Sequence, residues 1–438
     1  SVWSGLEWLW SLGPLFWSSI AYTQSPHNLP ILHLGQISGP FTITTTLLAV
    51  NGCWAEAWLA WRRRSPTNRG LTTATAIATN RPPLSWAANR ATNHSTQPPG
   101  ETPSPAMGQT GRTASTGKLV PPGLATHPWI TAGLALLISL HLLGWSLQQQ
   151  PLPDHPDSQI KIGIVQGNIP NQVKLDRDGI RLAQSRYIAG YREVVAQGAD
   201  IVLTPEGAMP IVWRDRRQAL NPIYQAVEAT GIPLWLGTFR PVAGSAKITQ
   251  SLITLTGKSG DPVSQYNKTK LVPLGEYVPL EFLLGNLVSR ISSVGYGMAP
   301  GNYHQVFATP FGPAAVGICY ESAFPSWFQR QVHQGAEFIL TASNNDPYPD
   351  YMMQQHHALD VMRAVEHRRW MVRGTNTGIS GVVNPRGETQ WQSTRGTVMT
   401  HLTHIQRLTT QTPYTRWGNW LTPILFIVVG VGLMAVRR

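Results

Sequence analysis

Two hydrophobic patterns divide this 438-residue chain. The first is continuous. From Pro128 to Leu147 the residues are apolar for about 20 positions, the length a helix needs to cross a bilayer, and His141 is the only ionisable group inside. A second such run covers 418–436, with Trp417 and Trp420 at one end and Arg437-Arg438 at the other. Leu34 to Trp61 makes a third candidate, which ends on Arg62-Arg63-Arg64 and carries Glu56. The opening stretch, Val2 to Tyr22, is dense in Trp, Leu and Phe but broken by Glu7 and Pro14. A span, a re-entrant segment and an interfacial helix all fit it.

The second pattern is short and repeated. Ile160–Gln166, Ile201–Thr204, Pro233–Thr238, Ser251–Leu255, Ala314–Ile318 and Glu337–Thr341 are apolar, largely β-branched runs that predict strands. Helices are predicted between them over 179–197, 221–230 and 325–334. Another is predicted over 351–370, with Ala358, Val361, Met362 and Val365 on one face. Strand and helix alternating over roughly 250 residues predict one α/β domain with buried sheets.

Charge changes this picture by its distribution. The net charge of +12 would suit nucleic acid if it coated the α/β domain, but between Arg62 and Lys118 eight basic residues face one acidic residue, Glu101. Basic residues beside apolar runs report membrane orientation, so no nucleic-acid partner is expected. The expected organisation has five parts: membrane segments over 1–61, belonging to a longer bundle; a disordered, basic, Thr/Pro-rich cytoplasmic loop over 62–127; a transmembrane helix over 128–147; a catalytic domain outside the membrane over 157–412; and a C-terminal transmembrane helix over 418–436. The chain starts at Ser1 without a basic leader, as a processed chain or a fragment does. Only Cys53 and Cys319 are present, so no disulfide framework is expected.

Cys319 ends the run Ala314–Ile318 and is followed by Tyr320-Glu321-Ser322. A cysteine where a buried strand turns toward a helix can present a nucleophile at a pocket mouth. A free thiol is mostly protonated at neutral pH and needs a base or cation beside it. Two other strand-like runs end on such groups, at Glu206 after Thr204-Pro205 and at Lys268 after Tyr266-Asn267. Glu206 can take the thiol proton and return it to a leaving group. Lys268 can hold an oxyanion, with the backbone N–H after Cys319 as a second donor. Glu276, eight residues past Lys268, can orient Lys268 or the attacking group, while Tyr320 and Glu321 flank the nucleophile and shape the pocket. Taken singly, each has a plainer reading: a core cysteine, a solvated turn glutamate, an exposed lysine.

The ordered set is more specific than its members. Thr204-Pro205-Glu206, Tyr266-Asn267-Lys268 and Gly317-Ile318-Cys319-Tyr320-Glu321 resemble the Glu–Lys–Cys motifs of the nitrilase (carbon–nitrogen hydrolase) superfamily. Val165–Pro170, Leu271–Pro279 and Arg373–Gly378, with apolar helices on either side, are similar to the apolipoprotein N-acyltransferase family within it. The resemblance covers nearly all of the chain except 62–127. It implies a nitrilase-like four-layer αββα sandwich anchored to a transmembrane helical bundle, as a multi-pass protein of the bacterial cytoplasmic (inner) membrane with its catalytic domain on the periplasmic side. It also implies a two-step reaction. Cys319 takes an acyl chain from a phospholipid as a thioester, and the α-amine of diacylglyceryl-cysteine on an apolipoprotein then receives it. By matching position, Glu206 is the base, Lys268 the oxyanion cation and Glu276 the supporting carboxylate; no cofactor or metal is implied.

The chain departs from the family pattern at Pro347-Tyr348, where Ala-Trp is usual, and at Leu175, where an aromatic is common. The long 62–127 loop and the few N-terminal spans also differ. A membrane-tethered amidase or nitrilase, in which water resolves the thioester, is the alternative activity. A catalytically dead lipoprotein-binding scaffold is a third reading. His356 and His357 point about 100° apart on a helix, which suits no shared metal, and with His367 they read as helix surface or polar contacts.

Overall fold

The computed structural model describes residues 2–64, 128–153, 156–214, 220–258, 261–273, 275–277 and 297–436. Within the 62–127 loop only Arg62–Arg64 fall inside these ranges, and Leu274, Val278-Pro279 and Arg437-Arg438 also lie outside the described residues.

The chain divides into two compact units. The larger comprises 1–49 and 137–438 and is built on two six-stranded sheets. In the first, β1 (Gln159–Gln166), β2 (Ile201–Leu203) and β3 (Leu234–Pro241) run parallel. They are flanked by antiparallel β4 (Ile248–Leu255) and β5 (Ser264–Asn267) on one side and β12 (Met399–Gln406) on the other. In the second, β7 (Gly312–Ile318), β8 (Phe338–Ser343) and β9 (Met371–Thr375) are parallel. Antiparallel β6 (Phe307–Thr309) lies beyond β7, and β10 (Gly381–Val383) and β11 (Thr389–Gln392) lie beyond β9.

Alternation along each strand decides what it faces. Ile162, Ile164, Ile201, Leu203 and Trp235 pack with Ala314, Val316, Phe338 and Leu340 between the sheets. The rings of Trp235 and Phe338 lie 5.9 Å apart there. Val165, Val202 and Leu236 point the other way. They are covered by α4 (Arg177–Ala196) and α5 (Pro222–Thr230) through Ala183, Tyr187, Val194 and Val227. The second sheet is covered by α6 (Pro325–His333) and α7 (Asp350–His367), so the order is helix, sheet, sheet, helix.

The N-terminal part of this unit is broken into short pieces. α1 (Val2–Ser11) has ten residues, a 3₁₀ turn covers Ile20–Gln24, and short helices occupy Leu29–His33 and Gly35–Ser38. The apolar run expected from Leu34 to Trp61 is therefore not one helix. It stops at Gly39, whose φ of 79° a side chain would oppose, and restarts as α2 (Pro40–Arg64). Glu7 ties these pieces together, accepting from the Ile20 N–H at 3.0 Å and the Thr44 hydroxyl at 2.8 Å. α8 (Leu421–Val436) packs Phe426 over Gly5 of α1 and exposes Ile424, Ile427, Val428 and Val431.

The second unit is 50–136. Its described part is the end of α2 with the start of α3 (Pro128–Gln148), where Gly133 lies against Cys53 and Trp54. Among the described residues α3 alone is long and apolar enough to cross a membrane, by length and composition; α8 is apolar but only 16 residues long.

Candidate active site

The site gathers at the ends of strands from both sheets, where parallel α/β sheets leave room for ligands. β2 ends at Leu203, and Thr204-Pro205 carries the chain to Glu206. That turn lies on Gly237 of β3, where a Cβ would stand 1.8 Å from the Pro205 carbonyl oxygen. No other residue lets the two strands approach this closely. The Thr204 hydroxyl accepts from the Gly237 N–H at 3.1 Å and fixes the same turn. Lys268 follows β5 and is pinned through its backbone: its N–H donates to Gln250 O and its carbonyl accepts from Gly301, both at 2.8 Å.

Glu206, Lys268 and Glu276 meet in one buried cluster. The Lys268 ammonium donates to Glu206 Oε1 at 2.9 Å and to Glu276 Oε1 at 2.6 Å, and its side chain is wholly shielded from solvent. Each carboxylate has a second anchor. Glu206 Oε2 accepts the Asn344 N–H at 3.0 Å, from the residue after β8, and Glu276 Oε2 accepts the Val272 N–H at 2.9 Å. Burial alone would lower the Lys268 pKa, but Glu206 and Glu276 beside it raise it well above the usual lysine value. Lys268 is therefore a fixed cation. Burial raises the Glu276 pKa, against the opposing pull of Lys268.

Cys319 begins a 3₁₀ turn after β7 and has φ 53°. A non-glycine residue in that region costs about 1–3 kcal/mol and is kept where the surroundings enforce it. Glu321 is the enforcer. Its carboxylate is fully buried and accepts from the Ile318 N–H at 2.8 Å, the Thr269 N–H at 2.7 Å, the Lys270 N–H at 3.0 Å and the Tyr266 hydroxyl at 2.9 Å. One side chain thus ties the cysteine turn to the loop carrying Lys268. Below the turn, Gly317 lets Phe328 of α6 lie directly on the strand; a Cβ there would be 2.4 Å from the ring.

Burial pushes the Cys319 thiol up to about 12, and the negative charge of Glu206 adds to the effect while Lys268 opposes it. The resting sulfur is therefore a protonated thiol, close enough to the Glu206 carboxylate to feel its charge.

The structure brings the Glu206, Lys268 and Glu276 side chains into direct contact, and Glu321 holds the Cys319 turn to the same loop. Tyr320 lies at the edge. Its hydroxyl lies within donating distance of two carbonyls, Pro14 at 2.6 Å and Phe16 at 2.8 Å, and its ring stacks on Trp17 at 6.1 Å. Three contributors went unread in the sequence. Lys174 is a buried ammonium that donates to the Glu206 carbonyl at 3.1 Å, and burial lowers its pKa to about 8. Asn344 acts through its backbone N–H. Asn376, after β9, accepts from the Ile169 N–H at 2.8 Å and donates to Asn344 Oδ1 at 3.1 Å, joining both sheets behind the site. The Asn-Thr-Gly motif was the available signal for Asn376; a backbone donor leaves none.

The three histidines are not on the helix surface. His356, His357 and His367 are buried and hydrogen-bonded to Asn345, Thr389 and Thr415, so of the two expected readings they are polar contacts.

Two cavities lie near this region. The larger, about 880 Å³, is lined by Trp17, Tyr22, Gln355, His357 and Glu388 and touches none of the reactive residues. The smaller, about 380 Å³, is lined by Tyr320, Thr269 and Tyr277, the residues that follow Cys319, Lys268 and Glu276 in the chain. It does not reach those three side chains or Glu206 themselves, but its lining residues are their chain neighbours, so of the two it is the one beside the site.

A carbon–nitrogen hydrolase family model matches residues 161–414. An apolipoprotein N-acyltransferase of Nostoc sp. is 43% identical over 425 residues, covering 97% of this chain and 72% of that relative. One of Synechocystis sp. is 40% identical over 431 residues, covering 98% and 72%. Among solved structures, Saccharomyces cerevisiae Nit3, a member of branch 10 of the nitrilase superfamily, matches with 18% identity and a TM-score of 0.42, over 57% of this chain and 90% of that chain. The chain belongs to the carbon–nitrogen hydrolase family and, within it, to the apolipoprotein N-acyltransferases.

Proposed function

We propose that this chain transfers an acyl group from a phospholipid to the N-terminal amine of a diacylglyceryl apolipoprotein, with Cys319 as nucleophile, Glu206 as general base and Lys268 as oxyanion cation. The observation that carries the reading is the single buried ammonium of Lys268 shared by Glu206 and Glu276 beside a strained cysteine turn. In the first step Glu206 takes the thiol proton as sulfur attacks the ester carbonyl carbon. The tetrahedral oxyanion is held by Lys268 and by the N–H after Cys319. The carbon–oxygen bond then breaks, Glu206 gives its proton to the glycerol oxygen, and a lysophospholipid leaves. In the second step the neutral α-amine attacks the thioester carbon and passes a proton to Glu206. The carbon–sulfur bond breaks, and the thiolate recovers that proton as the amide forms.

The supporting role of Glu276 is to hold Lys268 in place from the side opposite Glu206, that of Glu321 is to enforce the cysteine turn, and that of Tyr320 is to join this turn to the N-terminal segment. In this reading the catalytic domain spans 157–412 and sits outside the inner membrane of a bacterium, anchored by several helices that include 128–147 and 418–436. The exposed apolar side chains of Trp3, Leu6, Leu9 and Trp10 on α1 and of Ile427 and Val428 on α8 support a lipid-facing surface. The same reading gives the domain direct access to two lipid substrates.

The test uses membranes holding the protein, a phospholipid with labelled acyl chains and a synthetic diacylated lipopeptide. Expected products are the N-acylated peptide and lysophospholipid. Labelled free fatty acid with no acylated peptide would instead identify a hydrolase, in which water resolves the thioester.

A further inference from the structure

The cavity beside the reactive cluster has a composition that the acyl-transfer steps leave unused. One side is apolar, formed by Leu271, Met298 and Phe324 with Leu12 and Pro14 from the N-terminal segment. Two cations, Lys247 and Lys270, also line it. Neither has a carboxylate within salt-bridge distance among the described residues. The Lys270 ammonium stands 4.9 Å from the Phe324 ring centroid, so this charge sits over the apolar wall of the cavity. Lys247 is exposed on the far side, at the turn leading into β4.

A hydrophobic ligand alone would bring neither ammonium group an anion, and an anion alone would leave the apolar wall wet. A ligand with an ester carbonyl, an adjacent phosphodiester and a long apolar chain satisfies all three. The position fits the chemistry, since Tyr320, Thr269 and Tyr277 bring the cavity to the neighbours of Cys319, Lys268 and Glu276. The volume of about 380 Å³ accepts a glycerol phosphate and the start of a chain. The remainder can pass out over exposed Leu12 and Leu15.

We propose that Lys247 and Lys270 form the phosphate-binding subsite for the acyl donor, with the donor's acyl chain lying along Leu271, Met298 and Phe324. The inference rests on the reading of the donor as a glycerophospholipid. It assigns the two lysines to recognition of the phosphodiester and gives them no part in proton transfer.

The test compares two donors with identical acyl chains in the same detergent, a phosphatidylethanolamine and the corresponding diacylglycerol, and reads acylation of Cys319 by intact mass. Lys247→Gln and Lys270→Gln should each lower the ratio of phospholipid to diacylglycerol rates about tenfold, the size of one charge-assisted hydrogen bond. The loss should appear in KM, and Lys→Arg at either position should restore most of the ratio. A ratio equal to wild type in both glutamine variants, or a loss shared equally by the two donors, would overturn the subsite. A wild-type protein that accepts the chain from diacylglycerol but never from phospholipid would overturn the donor reading itself, a different failure from a wild-type ratio in the variants.

Discussion

Two buried charge clusters sit in the same domain and differ in one respect. In the second sheet, Arg373 of β9 pairs with Asp360 of α7 through both carboxylate oxygens, and both residues are about 1% exposed. The Arg373 guanidinium also donates to Ser343 Oγ at 2.6 Å and Ser322 Oγ at 3.0 Å. One cation meets one anion, and the remaining donors are used. At the mouth between the sheets, one ammonium, Lys268, is shared by two carboxylates, Glu206 and Glu276, while the second buried ammonium, Lys174, reaches the backbone carbonyl of Glu206 and neither carboxylate. A closed pair has no reason to accept a proton. In the proposed reading, two carboxylates sharing one ammonium leave Glu206 able to take the proton of the Cys319 thiol. Burial and ion pairing are common to both clusters; what separates them is one cation shared between two carboxylates.

That contrast can be broken by substitution. Glu206→Gln should lower the single-turnover acylation rate about 10²–10⁴-fold, the range for loss of a general base, while the thermal unfolding midpoint stays close to wild type. Near-normal turnover in that variant would remove Glu206 from the role of base. Arg373→Met should do the opposite and cost about 3–5 kcal/mol in denaturant titrations, because Asp360 is left buried and unpaired. If it instead abolished acylation with stability intact, the two clusters would not differ as described. Glu276→Gln should give a smaller rate loss than Glu206→Gln, since Lys268 keeps one carboxylate. The smallest effect is in titration. Because burial and Glu206 hold the Cys319 pKa near 12, thiolate absorbance, taken as the difference between wild type and Cys319→Ala, should be absent through neutral pH and emerge only toward that value. Glu206→Gln removes a nearby negative charge, so the thiolate should emerge at lower pH; a shift the other way would contradict the assigned electrostatics.

The strands at the core were legible because their apolar runs are continuous. Ile160–Gln166 and Ala314–Ile318 are read almost to the residue as β1 and β7. β12 was not, since Met399–Gln406 is a half-exposed edge strand carrying His401, Thr403 and His404, and it leaves no apolar signature. Within the site, Glu206, Lys268 and Cys319 were visible as charged or nucleophilic residues at strand ends. Glu321 was visible only as a neighbour of Cys319. Its contacts join 318, 266, 269 and 270, and such a link across 52 positions between Thr269 and Glu321 has no local pattern. The N-terminal segment was the least readable part. Its break around Ile20–Gln24 lies on α7, where Arg363 donates to the Tyr22 hydroxyl at 2.6 Å, and its break at Gly39 lies against the Tyr414 ring.

Acyl transfer through this site requires Cys319 to carry the acyl group. An intact mass spectrum of the protein, taken after incubation with phospholipid and without any lipopeptide acceptor, tests it most directly. The predicted result is one fatty-acyl increment, mapped to the peptide containing Cys319, released by hydroxylamine and missing in Cys319→Ala. An increment that persists in Cys319→Ala, or lysophospholipid formed with no increment in the wild type, would contradict the claim.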